Sequence, residues 1–100
     1  MIPARQIDVH PEAVVEARAA TKWYRERSYS AANGFLAEID LAIEKISRSP
    51  EMWPLYFQGT RRFLLHRFPF SVVYREVSGS IQIVAIAHAK RKPGYWISRI

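Results

Sequence analysis

Apolar positions follow a two-residue rhythm at the start of this chain, a rhythm of three to four residues through its middle, and a two-residue rhythm again toward its end. Ile7 and Val9 alternate with Gln6, Asp8 and His10, the period of a short edge strand with one buried face. His10-Pro11 stops that strand and opens a helix predicted over Pro11 to Arg27, because proline at the first helical position lacks an N–H that would have no partner there anyway. Glu12 and Glu16 suit the positive end of such a helix. Ala13, Ala17, Ala20 and Tyr24 make a narrow stripe of mostly small residues, flanked by Val14 and Trp23, against which another element can approach closely. Ser28 to Ser30 interrupt the pattern. Ser30 is the expected N-cap of a second helix from Ala31 to Ser47, with Phe35, Ile39, Ala42, Ile43 and Ile46 inward and Glu38, Asp40 and Glu44 on its other faces.

Two amphipathic helices joined by so short a link fold back on each other, and their apolar stripes need a sheet to cover. Ser49-Pro50 ends the second helix. MWPLYFQG, broken by Pro54 and Gly59, reads as an ordered loop that closes the edge of the core with Trp53, Leu55, Tyr56 or Phe57. A second strand runs through RRFLLHRF to a bend at Pro69. In the third, Phe70, Val72 and Tyr74 share one face, with Ser71, Val73, Arg75 and Val77 on the other. A turn at Ser78-Gly79 leads to a fourth strand, in which Ile81, Ile83, Ala85 and Ala87 oppose Gln82, Val84, Ile86 and His88. Apolar on both faces, that strand belongs in the middle of the sheet. The expected architecture is one α+β domain over residues 1–100: an N-terminal strand and an antiparallel helical hairpin packed on one side of a mostly antiparallel four-stranded sheet. The other side and the tail KRKPGYW are left for partners.

Composition narrows the function without naming it. There is no cysteine, and the three histidines lack ligand spacing, so neither disulfides nor a metal site nor a cofactor is expected. The longest charge-free run, Val77 to Ala89, falls short of the ~20 apolar residues that cross a bilayer. With no secretory pattern after Met1, the expected compartment is the cytoplasm.

Charge changes the picture more. Residues 1–59 carry seven Lys/Arg against eight Asp/Glu, whereas residues 60–100 carry eight against Glu76 alone. A positive field confined to the sheet half favours a polyanion or an acidic protein segment as partner. Candidate contacts are Arg61, Arg62, Arg67, Arg75, Lys90, Arg91 and Lys92, with Tyr95 and Trp96 either stacking on bases or folding as a C-terminal aromatic pair onto the sheet. His66 and His88 are the candidates for a general base, with a satisfied structural histidine at the end of a strand as the competing reading of each.

The order of these elements, with WPL, RRFLLHRFPFSVVYRE and VAIAHAKRKPGYW, resembles the RelE/ParE superfamily of toxins from type II toxin–antitoxin systems over nearly the whole chain. The resemblance implies a growth-inhibiting toxin of the plasmid-stabilisation kind, neutralised by a cognate antitoxin. In the ribosome-dependent, RelE-like branch, messenger RNA is cut with the help of an arginine in a Tyr-Arg-Leu-Val-Tyr-like segment. Here that segment is Phe70-Ser71-Val72-Val73-Tyr74, with serine in the arginine's place, and the loop from Pro50 to Thr60 lacks lysine. Were the chain such an endoribonuclease, the resemblance would assign the chemistry to Arg61, Arg62, His88, Lys90, Arg91 and Tyr95. The tail from His88 to Trp96 looks more like the ParE branch, whose better-known members poison DNA gyrase. An antitoxin-binding remnant without toxicity is the third expectation.

Overall fold

His10 caps the first helix with its own ring: Nδ1 accepts from the Glu12 amide at 3.0 Å, and Pro11 begins the helix. In the computed structural model, which describes residues 4–100, the elements are β1 (Ile7–Val9), α1 (Pro11–Arg25), α2 (Tyr29–Arg48), β2 (Arg61–Leu64), β3 (Phe70–Val77) and β4 (Ser80–His88), with short 3-10 turns at Phe57–Gly59 and Ile97–Arg99. The sheet order is β1-β4-β3-β2, with β1 parallel to β4 and the other neighbours antiparallel. β4 is therefore internal and β1 an edge, as their patterns require.

α2 begins earlier than its serines suggested. Ser28, not Ser30, is the N-cap: it lies in extended backbone and its hydroxyl accepts from the Ala31 amide at 3.1 Å. The link between the helices is correspondingly shorter, and Tyr24 of α1 packs against Phe35 of α2 with ring centroids 5.3 Å apart. β2 is also shorter than its pattern. Beyond Leu64 the amides of His66 and Arg67 turn away to the Glu38 carboxylate of α2, at 2.8 and 3.2 Å. Burial alone would raise the Glu38 pKa, but the Arg67 side chain and those two amides outweigh it and hold the carboxyl below the ordinary range.

The β3–β4 hairpin closes through Ser78 and Gly79, both at positive φ (50° and 83°), the conformation of a two-residue turn that matches strand twist. Farther along, the register slips. Tyr74 faces Ile83 and Val73 faces Ala85, so Val84 is the extra residue of a β-bulge. A bulge inverts the alternation that follows it. Ile81, Ile83 and Ile86 pack toward the helices with Val72, Tyr74, Phe35, Ile39 and Ile46, while Val84 and Ala85 turn to the opposite face with Val73. Strict alternation had put Ala85 with Ile81 and Ile83, and Val84 with Ile86; the single-residue insertion breaks both pairings.

Both faces of the sheet are covered. On the helix side Tyr74, 1% exposed, donates its hydroxyl to the Pro50 carbonyl. Its pKa is pushed up to about 12, mainly by burial, with the Arg61 charge pulling it down and Glu76 adding to the rise. On the back face the tail returns through Gly94 (φ 83°) and lays Trp96, 1% exposed, over Val73, Val84 and Ala85. Among the described residues no helix is long and apolar enough to cross a membrane.

Candidate functional site

Strand parity decides which cations share a surface. Arg62 pairs with Val73 and Arg75 with Gln82, so both stand on the back face, whereas Arg61 pairs with Tyr74 and faces the helix side. There the Arg61 guanidinium donates to the Trp53 carbonyl at 2.7 Å and the Glu51 carbonyl at 3.3 Å. Arg61 thus braces the loop before β2. Arg67 is drawn to the middle of α2, where its Nε meets Glu38 at 2.8 Å. The sequence had grouped Arg61 and Arg67 with the other cations, but the structure separates them.

Around the back of the sheet a shallow hollow of about 70 Å³ is lined by Tyr56, Arg62, Ser71, Arg91, Lys92 and Tyr95, among others. Arg62 lies 4.3 Å from the centre of the Tyr56 ring, and Arg91 lies 3.6 Å from that of Tyr95. Such stacking holds guanidinium groups over apolar rings while leaving their charge at the surface. Arg75 completes the face near the hairpin, with its Nε 2.8 Å from the Gln82 side-chain oxygen. Lys90 and Lys92 are exposed in the turn after β4. Of the eight cations in residues 60–100, Arg67, Arg91 and Arg99 meet carboxylates; Arg61, Arg62, Arg75, Lys90 and Lys92 form no ion pair among the described residues.

One carboxylate organises the tail. Glu16 of α1, whose side chain is 12% exposed, accepts from the Ile86 amide at 3.0 Å, from both terminal nitrogens of Arg99 at 2.9 Å, and from the Tyr95 hydroxyl. Arg91 joins it more loosely at 3.4 Å. Burial, and then the bond to Glu16, pushes the Tyr95 pKa up. Read first as a helix-dipole residue, Glu16 is the anchor that sets the 89–99 segment. Nothing local marks that role, because its partner Arg99 lies 83 residues away.

Other expected site residues are constrained. Trp96 is filled in against the sheet and cannot stack on a base; the apolar back face needed a cover and the indole supplies it. His88 pairs with Phe70 on the helix side, its ring edge-on at 4.9 Å, and its Nδ1 accepts from the Lys90 amide at 3.0 Å. His66 is exposed at the far side, beside Glu38 and Arg67. Ser71 is 7% exposed. The hollow is well below the ~300–1,000 Å³ of enclosed ligand pockets. What the back face offers is a cationic, aromatic-studded surface suited to contact.

Comparisons with known proteins bear on this geometry. The family model described as ParE toxin of type II toxin-antitoxin system, parDE, matches residues 7–93. A solved structure described as the chromosomal ParDE TA system from P. aeruginosa shares the fold with TM-score 0.76 at 19% identity, covering 87% of this chain and 98% of that one. Among the curated proteins there is no match.

Proposed function

The chain belongs to the ParE toxin family of type II toxin–antitoxin systems, and from that premise we propose that it arrests growth by engaging DNA gyrase and is held silent by a cognate antitoxin. The observation that carries the gyrase reading is the back face itself. Arg62, Arg75 and Lys92 stand around it without carboxylate partners among the described residues, and its hollow of about 70 Å³ has no room to enclose a reacting nucleotide. A basic surface of this kind suits a nucleoprotein, whose phosphates it neutralises with release of counterions.

RNA cleavage needs a group that takes the 2′-hydroxyl proton and a cation at the phosphate. Tyr95 holds its own proton more tightly than a free tyrosine, and Ser71 brings no charge to the centre of the face. His88 has one ring nitrogen engaged by the Lys90 amide. These features favour binding over strand scission.

Induced expression separates the alternatives. Growth arrest with DNA breaks and an SOS response, and loss of supercoiling by purified gyrase, are the expected results. Cleaved messages with normal supercoiling would replace this reading with the ribosome-dependent nuclease; neither effect would leave an antitoxin-binding remnant. A cognate antitoxin, sought among small acidic proteins encoded near the gene, should co-purify with the chain and relieve the arrest.

A further inference from the structure

Aromatic rings stud the back face, yet each is already engaged. Arg62 lies over the Tyr56 ring at 4.3 Å, and Arg91 over that of Tyr95 at 3.6 Å. Tyr56 is also stacked with Phe57, ring centroids 4.6 Å apart, and Phe57 lies so near Gly94 that a Cβ there would stand 3.5 Å from it. Trp96 is buried against Val73, Val84 and Ala85. Surfaces that hold single strands rely on open aromatic faces for the bases. This one has its rings occupied by its own guanidinium groups and by one another.

What the face presents outward is charge in a fixed row. Arg62 stands opposite Val73, and Arg75 two residues farther along β3 on the same side of the sheet. Strand geometry sets them about 7 Å apart along the strand and about 4.8 Å across it. Lys92 is exposed at the hollow, and Arg91, with 54% of its side chain exposed, keeps only the 3.4 Å contact with Glu16. No acid lines the hollow among the described residues. Glu76, next to Arg75, has the opposite strand parity and is held by Arg5. Cations fixed by a strand ladder, without acids and without free rings, fit the regularly repeated phosphates of a stiff duplex better than the splayed bases of a flexible strand.

We propose that the back face binds the backbone of duplex DNA directly, so that the toxin meets its nucleoprotein target through the DNA itself. This rests on the gyrase reading above and names the part of that target the surface touches. Four phosphate contacts, from Arg62, Arg75, Arg91 and Lys92, give affinity a log–log salt slope of about −3.6, a loss of roughly 100-fold between about 50 and 200 mM salt. Backbone contacts carry no sequence information, so one duplex binds much like another.

Fluorescence anisotropy tests this with the purified chain, a labelled DNA duplex, its separated strands and an RNA strand of the same length, titrated across that salt range. The duplex should bind severalfold more tightly than any single strand. Arg62→Ala, Arg75→Ala and Lys92→Ala should each reduce the salt slope by about 1, whatever the duplex sequence. Lys92 is fully at the surface, so its variant carries no risk to the fold. Phe57→Ala, and Lys45→Ala on the exposed side of α2, should keep duplex affinity within about twofold of wild type. Tighter binding of single strands, weakened by Phe57→Ala, would assign the face to stacked bases and overturn the proposal. So would a duplex affinity indifferent to all three cation substitutions, or no duplex binding at all. Duplex binding as expected with undisturbed supercoiling by gyrase would bring down the gyrase reading and leave the DNA contact standing; inhibited supercoiling without duplex binding would do the reverse.

Discussion

Replacing Glu16 with glutamine tests whether a single carboxylate holds the 89–99 segment to the sheet. The substitution keeps length and one acceptor oxygen but removes the charge facing Arg99, whose two terminal nitrogens both lie 2.9 Å from it. Each of the two side chains is 12% exposed, so the guanidinium would be left nearly buried without a counter-ion. Removing one partner of a buried pair costs about 3–5 kcal/mol. Arg99 neighbours exposed Ser98 and Ile100 and can swing partly into water, which places the expected loss at the lower end, about 3 kcal/mol. For a domain of this size each kcal/mol moves Tm by about 4–8 °C, so thermal unfolding should shift down by roughly 12–24 °C. Adding Arg99→Met removes the stranded cation, and the double variant should recover part of the loss, giving a coupling of about 1.5 kcal/mol or more. A Tm for Glu16→Gln within about 3 °C of the wild type, or strictly additive single effects, would refute the anchor.

Trp96→Ala should cost about 3–5 kcal/mol in urea unfolding, because it empties a buried indole site on the back face; a loss confined to target binding would contradict that packing. Arg61→Ala should cost about 1.5–3 kcal/mol through its bonds to the Glu51 and Trp53 carbonyls, whereas Lys90→Ala should stay within about 0.5 kcal/mol of wild type. Equal stabilities for the two would disprove the division between bracing and free cations. Tyr74 carries a folded-state pKa of about 12 against an ordinary 10.0, so the folded chain binds its proton more tightly than the unfolded one. The stability this adds is complete below about pH 10 and is lost as pH rises through about 12. Urea midpoints should fall across that window, and Tyr74→Phe should flatten the fall while costing about 1 kcal/mol for its bond to Pro50.

What could be read from the chain was what depends on neighbours in sequence. The helical stripes, the proline entry to α1, the Ser78-Gly79 turn and the internal position of β4 are all encoded within a few residues, and the structure contains each. The capping serine was misplaced because Ser28 and Ser30 are chemically equivalent, and only the backbone at Ser28 is extended. The bulge at Val84 has no local mark, since a one-residue slip exists only relative to β3.

One long-range feature was nevertheless implicit in the pattern. β3 and β4 are apolar on both faces, and a sheet with two apolar faces needs two covers, yet the chain offers one helical hairpin. The second cover had to come from the remaining apolar bulk, and after β4 that means Tyr95 and Trp96. Their neighbours Lys90, Arg91 and Lys92 made the segment look like a free basic arm, but the indole goes down onto Val73, Val84 and Ala85. With the indole beneath and Glu16 tying Tyr95 and Arg99 from the other side, the turn between them holds its lysines outward. The basic surface is thus a consequence of how the sheet's second face is closed, which is why cutting the Glu16 anchor should disturb stability and target contact together, whereas removing Lys92, which lines the back-face hollow, should touch only the latter.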